Sequence, residues 1–287
     1  MNPVDPAQEP YADLHVHTDF SDGTFSPEKV VDTAAEKGLS CIAICDHDCI
    51  DAIGPSMKRA REISIEIVPG VELTVIKDGK EIHILGYFIS WKEKWFREIL
   101  RGIQRGRIER LDKMLAKLEK FGVNLKKDRV IEIAGGKGSV GRLHLARALL
   151  EAKAVPSIQA AFNKYIGDFR PCYVEDVGFR AEEALEVISR ANGVSVLAHP
   201  QTIGDDSLVR EFIKLGVRGI ETHHTGHSSS QSEKYEKMAK DHGLIITGGS
   251  DCHGMGKGRV LLGSVKVPYS VVEQLKQEAA RIRSGAV

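Results

Sequence analysis

Hydrophobic positions along the first ninety residues switch between two periods. Residues 11–16 alternate like a short strand. Ser26 offers an N-cap and Pro27 a first helical position, so a helix is predicted through Lys37, stopping at Gly38. Residues 41–45 are an unbroken apolar run, as expected of a strand buried on both faces. A predicted helix over residues 51–63 leads to a short apolar run at 66–68. Residues 73–76 and 82–88 flank Lys77-Asp78-Gly79-Lys80, a hairpin signal with Asp-Gly at the turn.

The rhythm then changes. Residues 95–121 are helical in pattern and basic, with Leu111, Met114, Leu115 and Leu118 forming one apolar stripe. Shorter helices are predicted over 125–133, 141–150 and 157–165. Residues 92–174 therefore read as an all-helical insertion. Strand–helix alternation resumes with a helix over 181–191, ended by Asn192-Gly193, and strands over 194–198, 219–222 and 244–247. This alternation implies an α/β fold built on a parallel sheet or a barrel. Residues 11–91 and 175–287 would form it, and residues 1–10 would be a short loose tail.

Composition changes this picture little. The 287 residues are 42% hydrophobic and 28% charged, which excludes a collagen, a coiled-coil rod and a wholly disordered chain. Forty basic residues balance forty acidic ones, so global charge gives no reason to expect stable duplex DNA or membrane binding. Five cysteines without a C-x-x-C spacing suit reduced, packed thiols in a cytoplasmic protein. The first ten residues carry neither the basic start nor the apolar stretch of a signal peptide. No apolar run approaches the ~18 residues of a membrane span.

The eleven histidines are not scattered. His15 and His17 lie two apart at the end of the first strand, with Asp22 close behind. Alternate strand residues share a face, so these two imidazoles can chelate one divalent cation. Cys45-Asp46-His47-Asp48 follows the second strand, Glu72 follows Pro69-Gly70, and His83 stands on the hairpin. His199-Pro200 and Ser250-Asp251-Cys252-His253 follow two later strands. In a barrel these strand ends converge on one face. So many ionisable groups brought together without a charge partner would be very costly, and bound cations remove that cost.

The blocks Asp13-Leu14-His15-Val16-His17-Thr18 with Ser21-Asp22-Gly23, Cys45-Asp46-His47-Asp48, Pro69-Gly70-Val71-Glu72, Leu197-Ala198-His199-Pro200 and Gly249-Ser250-Asp251-Cys252-His253 resemble those of the PHP (polymerase and histidinol phosphatase) family, in the same order. The resemblance implies a distorted (β/α)7 barrel with a trinuclear metal centre. Carried over by position, His15, His17, Glu72 and Asp251 would hold one metal. Glu72 would bridge to a second, completed by His83 and His199. Asp22, His47 and His253 would hold the third. These ligand types suit Mn, Fe or Zn. Asp13 and Asp46 would orient the histidines beside them. The helical insertion is similar to that of the TrpH/YciV-like phosphoesterases. Members of that branch act on nucleoside 3′,5′-bisphosphates, on AMP, or on short RNA from its 5′ end.

A phosphate needs further partners beyond the metals. Arg107 and Arg110 share a face of the long predicted helix. Gly141-Arg142-Leu143-His144 opens another, where backbone N–H groups, Arg142 and His144 could bind an anion. His224 and His227 follow the strand over 219–222 and are candidates to protonate a leaving group, whereas the role of His223 stays open. The expected enzyme is thus a metal-dependent phosphoesterase in which a hydroxide bridging two cations attacks phosphorus. Its expected substrate is a small phosphorylated nucleotide. The alternatives are a 5′-3′ exoribonuclease acting on a short 5′-phosphorylated oligoribonucleotide and a non-catalytic nucleotide sensor.

Overall fold

The computed structural model describes residues 9–256 and 258–285; residues 1–8 of the expected tail lie outside them. The chain opens with β1 (Tyr11–Val16), α1 (Pro27–Glu36), β2 (Cys41–Ile44), α2 (Ile53–Ile63), β3 (Glu66–Lys77) and β4 (Lys80–Tyr87). Helices α3 (Lys94–Lys120), α4 (Lys127–Ile133), α5 (Arg142–Glu151) and α6 (Ile158–Ala161) follow, the last running into a π-helical turn over Phe162–Ile166. Then come α7 (Ala181–Arg190), β5 (Val194–Leu197), α8 (Asp206–Leu215), β6 (Gly219–His224), α9 (Ser229–Asp241), β7 (Ile245–Gly249), β8 (Val267–Pro268) and α10 (Tyr269–Arg283).

The strands form one sheet in the order β7-β6-β5-β4-β3-β2-β1-β8. Strand β7 also packs beside β1, and Val16 bridges to Cys252, so the sheet curls into a nearly closed barrel. Pairing is parallel from β1 through β3 and from β5 through β7, whereas β4 runs antiparallel to both neighbours. The sheet is therefore mixed where strict βα alternation predicts a parallel one. The hairpin is the reason: Asp78 and Gly79 both take positive φ (51° and 71°), as a tight two-residue turn requires, and the chain returns beside β3 without a crossover helix.

Two predicted runs, 66–68 and 73–76, are one strand, because β3 passes through Pro69-Gly70 without a break. Strand β8 and helix α10 lie beyond the last strand read from the pattern. Ser26 caps α1 through its side chain, as predicted, and Asn192 takes the left-handed conformation (φ 58°) just past α7.

Inward side chains of the strands, including Leu14, Ala43, Val68, Leu85, Tyr87 and Val196, fill the barrel and meet Val272, Leu275 and Ala279 of α10. Helices α7, α8 and α9 cover the outside of β3–β6, and α1 and α2 cover β1 and β2. Leu111, Met114 and Leu118 of α3 belong to a separate core with Val130, Leu145, Leu149 and Tyr165. No helix of the described residues is long and apolar enough to cross a membrane.

Candidate metal centre

Glu72 is the hub of the site. Cross-strand partners share a sheet face, and the pairs Thr74–His83 and Ile76–Glu81 put Glu72, His83 and Glu81 on one side of the β3–β4 ribbon. Buried Glu72 presents Oε1 to His83 Nδ1 (2.8 Å) and His199 Nε2 (2.9 Å). Its Oε2 meets His15 Nε2 (3.1 Å), His17 Nε2 (3.2 Å) and His47 Nδ1 (3.3 Å). Asp251 Oδ1 lies 3.1 Å from His17 Nε2 and 3.7 Å from His15 Nε2. Asp22 Oδ1 lies 3.0 Å from His253 Nε2, and Asp22 Oδ2 lies 4.0 Å from His47 Nε2. All nine expected metal ligands are thus brought together.

Their donor atoms form three interlocking groups, each within 4.8 Å: His15, His17 and Glu72; His47, Glu72 and His83; and His17, Asp22, His47 and His253. The grouping differs from the expected one, since His17 and His47 each reach two groups. Electrostatics favour cations here. Burial would raise the Glu72 carboxyl, but His47, His15 and His83 hold it well below the usual range. Burial would depress His17 and His83, yet the Glu72 carboxylate, with Asp251 for His17 and Glu81 for His83, lifts them to about 9 and about 10. Burial takes His47 down to about 3. Protons therefore cannot serve every imidazole at one pH. His17 Nε2, His47 Nδ1 and Asp22 Oδ1 are buried and approach their neighbours at 3.0–3.3 Å without hydrogen-bond geometry, and all three are donor atoms of these groups. The residues fit divalent cations.

Supporting residues include the expected Asp13 and Asp46 and one more, Glu221. Asp13 accepts from the backbone of Ser250 (2.8 Å), Gly263 (2.8 Å) and His15 (3.3 Å), and Asp46 from Thr18 and Ser21. They tie ligand-bearing loops together, and Asp46 reaches the His17 ring through the Ser21 hydroxyl, 2.5 Å from Asp46 Oδ1 and 3.4 Å from His17 Nδ1. Glu221, on the strand that carries His224, orients one imidazole and one ligand backbone. Its Oε1 bonds His15 Nδ1 (3.0 Å) and its Oε2 accepts the His199 N–H (2.9 Å). The signal available was a buried acidic residue late in a barrel strand. Register shifts between Glu221 and His223. Such a bulge breaks the two-residue alternation. His224 thereby turns toward Asp251 (3.3 Å), while His223 turns out toward Glu236.

A cavity of about 330 Å³ opens over the centre, lined by barrel ligands on one side and by Arg107, Arg110, Arg142 and Asp168 on the other. Arg107 is 5% exposed, against the solvated face that a basic helix suggests; it donates to Asp48 (2.6 Å) and Thr74. Arg110 pairs with Asp176. Arg107 Nε and Arg110 Nη2 are buried without hydrogen-bond partners. Arg142 is engaged by Glu81 (2.9 Å) and Asp168 (2.6 Å). His144 does not line the cavity: its Nδ1 accepts the Gly141 N–H (3.0 Å) at the start of α5, and burial lowers it to about 4. His227 sits behind His224, its Nδ1 donating to Thr222 O (2.8 Å).

Comparison with known proteins places this geometry. The PHP domain family pattern matches residues 13–175. A 3′,5′-nucleoside bisphosphate phosphatase from Chromobacterium violaceum is 33% identical over 251 residues, covering 86% of this chain and 88% of that one. A 5′-3′ exoribonuclease from Haemophilus influenzae is 31% identical over 264 residues, covering 88% and 96%. A candidate metal-dependent phosphoesterase from Bifidobacterium adolescentis superposes with a TM-score of 0.86 at 28% identity, covering 95% of this chain and 97% of that one.

Proposed function

This chain belongs to the PHP domain family and is a metal-dependent hydrolase of phosphate esters, and from that premise we propose that its substrate is a nucleotide carrying two phosphates, a 3′,5′-bisphosphate. The observation that carries this reading is the pairing of two anion-binding regions across one cavity. Histidine and carboxylate donors form one wall, and three arginines stand on the other. One phosphate needs only the first wall. The second wall suits a second phosphate, because guanidinium groups match phosphate oxygens and Arg142 among them is partly open to solvent.

We assign three divalent transition metals, Mn, Fe or Zn, to His15, His17, Glu72 and Asp251, to Glu72, His83 and His199, and to Asp22, His47 and His253. Such cations supply Lewis acidity and an activated water when bound. The residues of the chain do the rest. Glu221 keeps the His15 proton on Nδ1, freeing Nε2 as a donor atom. His224 accepts the Gly226 N–H at Nδ1 (2.9 Å), so its neutral form carries its proton on Nε2, facing the site. A neutral imidazole is too weak an acid to give up that proton, so the Nε2–H would serve as a hydrogen-bond donor to the charge developing on a leaving oxygen. The helical segment 92–174 acts as a cap, since Arg107, Arg110 and Arg142 all come from it. The five free, buried cysteines suit a reducing compartment, the cytoplasm.

The test is turnover by Mn-loaded protein of adenosine 3′,5′-bisphosphate and p-nitrophenyl phosphate, read as phosphate release, and of a 5′-phosphorylated dinucleotide, read as mononucleotide release. The bisphosphate should have the highest kcat/KM. Arg142→Ala should raise its KM roughly 10–100-fold, the worth of one charge-assisted bond, with metal content unchanged. Preference for the dinucleotide would make the enzyme an exoribonuclease, as the Haemophilus relative is named.

A further inference from the structure

Arg142 is held by two carboxylates of different character. Glu81, on β4, is 14% exposed, and its second oxygen meets His83 Nε2 at 3.3 Å. Asp168 is 50% exposed and stands on the turn 167–170, closed by the Arg170 N–H onto Gly167 O at 3.0 Å. The same turn puts Phe169 at φ 60° with its side chain 83% exposed. Bulky side chains rarely adopt that backbone, and no burial of Phe169 anchors it. The turn that carries Asp168 is therefore strained and weakly held.

Charge bookkeeping singles out the same residue. Asp48 and Asp176 are buried against Arg107 and Arg110, and Glu81 faces Arg142. Asp168 is a fourth carboxylate for three guanidiniums, and the most exposed of the four. A half-exposed ion pair contributes little to stability. A guanidinium bonded to a phosphate dianion gains more charge and a better geometric match. Exchange of one for the other on Arg142 therefore runs toward phosphate.

We propose that Asp168 is a tethered anion that occupies the outward face of Arg142 until a phosphate group displaces it, and that it thereby lowers the affinity for substrates with a second phosphate. A substrate whose distal group is neutral cannot displace a carboxylate. This rests on the bisphosphate reading above and names the residue that competes with the second phosphate for Arg142.

The experiment is Asp168→Asn, which keeps the shape and removes the charge. KM for adenosine 3′,5′-bisphosphate should fall several-fold while kcat holds, and the ratio of its kcat/KM to that for p-nitrophenyl phosphate should rise. An unchanged or higher KM overturns the proposal and makes Asp168 a strut for Arg142. If wild-type protein leaves the bisphosphate intact, the substrate reading alone fails. Calorimetric titration with inorganic sulfate then still decides the role of Asp168. The variant should bind sulfate several-fold more tightly than wild type, and lose that advantage when Arg142→Ala is added. Equal affinity overturns displacement.

Discussion

At the scale of single residues, the centre depends on side chains that are held from behind. Glu221 is the clearest case, because one carboxylate bonds the His15 ring and the His199 backbone together. Glu221→Gln keeps the volume but weakens the charge-assisted bond to the imidazole. Loss of such a partner costs metal affinity or activity about 10–100-fold. Chelator competition should show that loss while circular dichroism stays at wild type; full affinity in the variant would assign Glu221 to packing alone. The metal-type residues were legible in sequence because they recur in short blocks at strand ends. Glu221 was not, because a single acidic residue in a strand carries no spacing signal. The burial of Arg107 against Asp48 and Asp176 is likewise absent from the local pattern of its basic helix.

At the scale of elements, the approach of the cap to the barrel turns on one loop. Gly138 has φ 54°, and a Cβ there would stand 1.7 Å from the carbonyl oxygen of Phe20. The Ser139 N–H donates to that same oxygen at 3.0 Å. The loop before α5 is thus seated on the β1–α1 connection, and it delivers Gly141 and Arg142 to the cavity. Gly138→Ala should cost about 1–3 kcal/mol from backbone strain alone, more with the clash. Scanning calorimetry should show a lower Tm, and KM for a bisphosphate should rise more than KM for an aryl phosphate. An unchanged Tm and KM would refute the seating. Helix lengths and the α1 and α7 caps follow from local pattern, whereas the bulge in β6 and the single continuous β3 follow from pairing with neighbours.

At the scale of the whole molecule, the centre ties several strands together through charge, so stability depends on metal and pH in a linked way. His17 and His83 are raised to about 9 and about 10. Each gives the chelated protein stability that is full below the unfolded pKa near 6.5 and is lost as pH rises through 9 to 10. His47, lowered to about 3, and His199, also lowered, act in the opposite sense: their contribution is present above 6.5 and lost as pH falls. Chelated protein should therefore have its highest Tm between these limbs, near pH 6–7. Divalent cations should flatten the alkaline limb, because they replace the protons, and should raise Tm by mass action, about 2.7 kcal/mol at a hundredfold excess over Kd. Melting curves from pH 5 to 10 with and without Mn decide this. A metal-insensitive alkaline limb would sink it.

The sequence by itself determined the α/β class, the helical segment between two barrel halves, and the nine residues that meet at the centre. These are properties of local periodicity and of short motifs, which need no knowledge of distant contacts. Tertiary structure decided the sharing of His17 and His47 between donor groups, the hydrogen-bond partners of Asp13 and Asp46, and the engagement of each arginine. Each of these depends on which carboxylate, from up to a hundred or more residues away, faces a given side chain once water is excluded. Pairing over such separations is set by barrel closure and by the cost of leaving a buried charge alone, and neither is written in any local stretch of the chain.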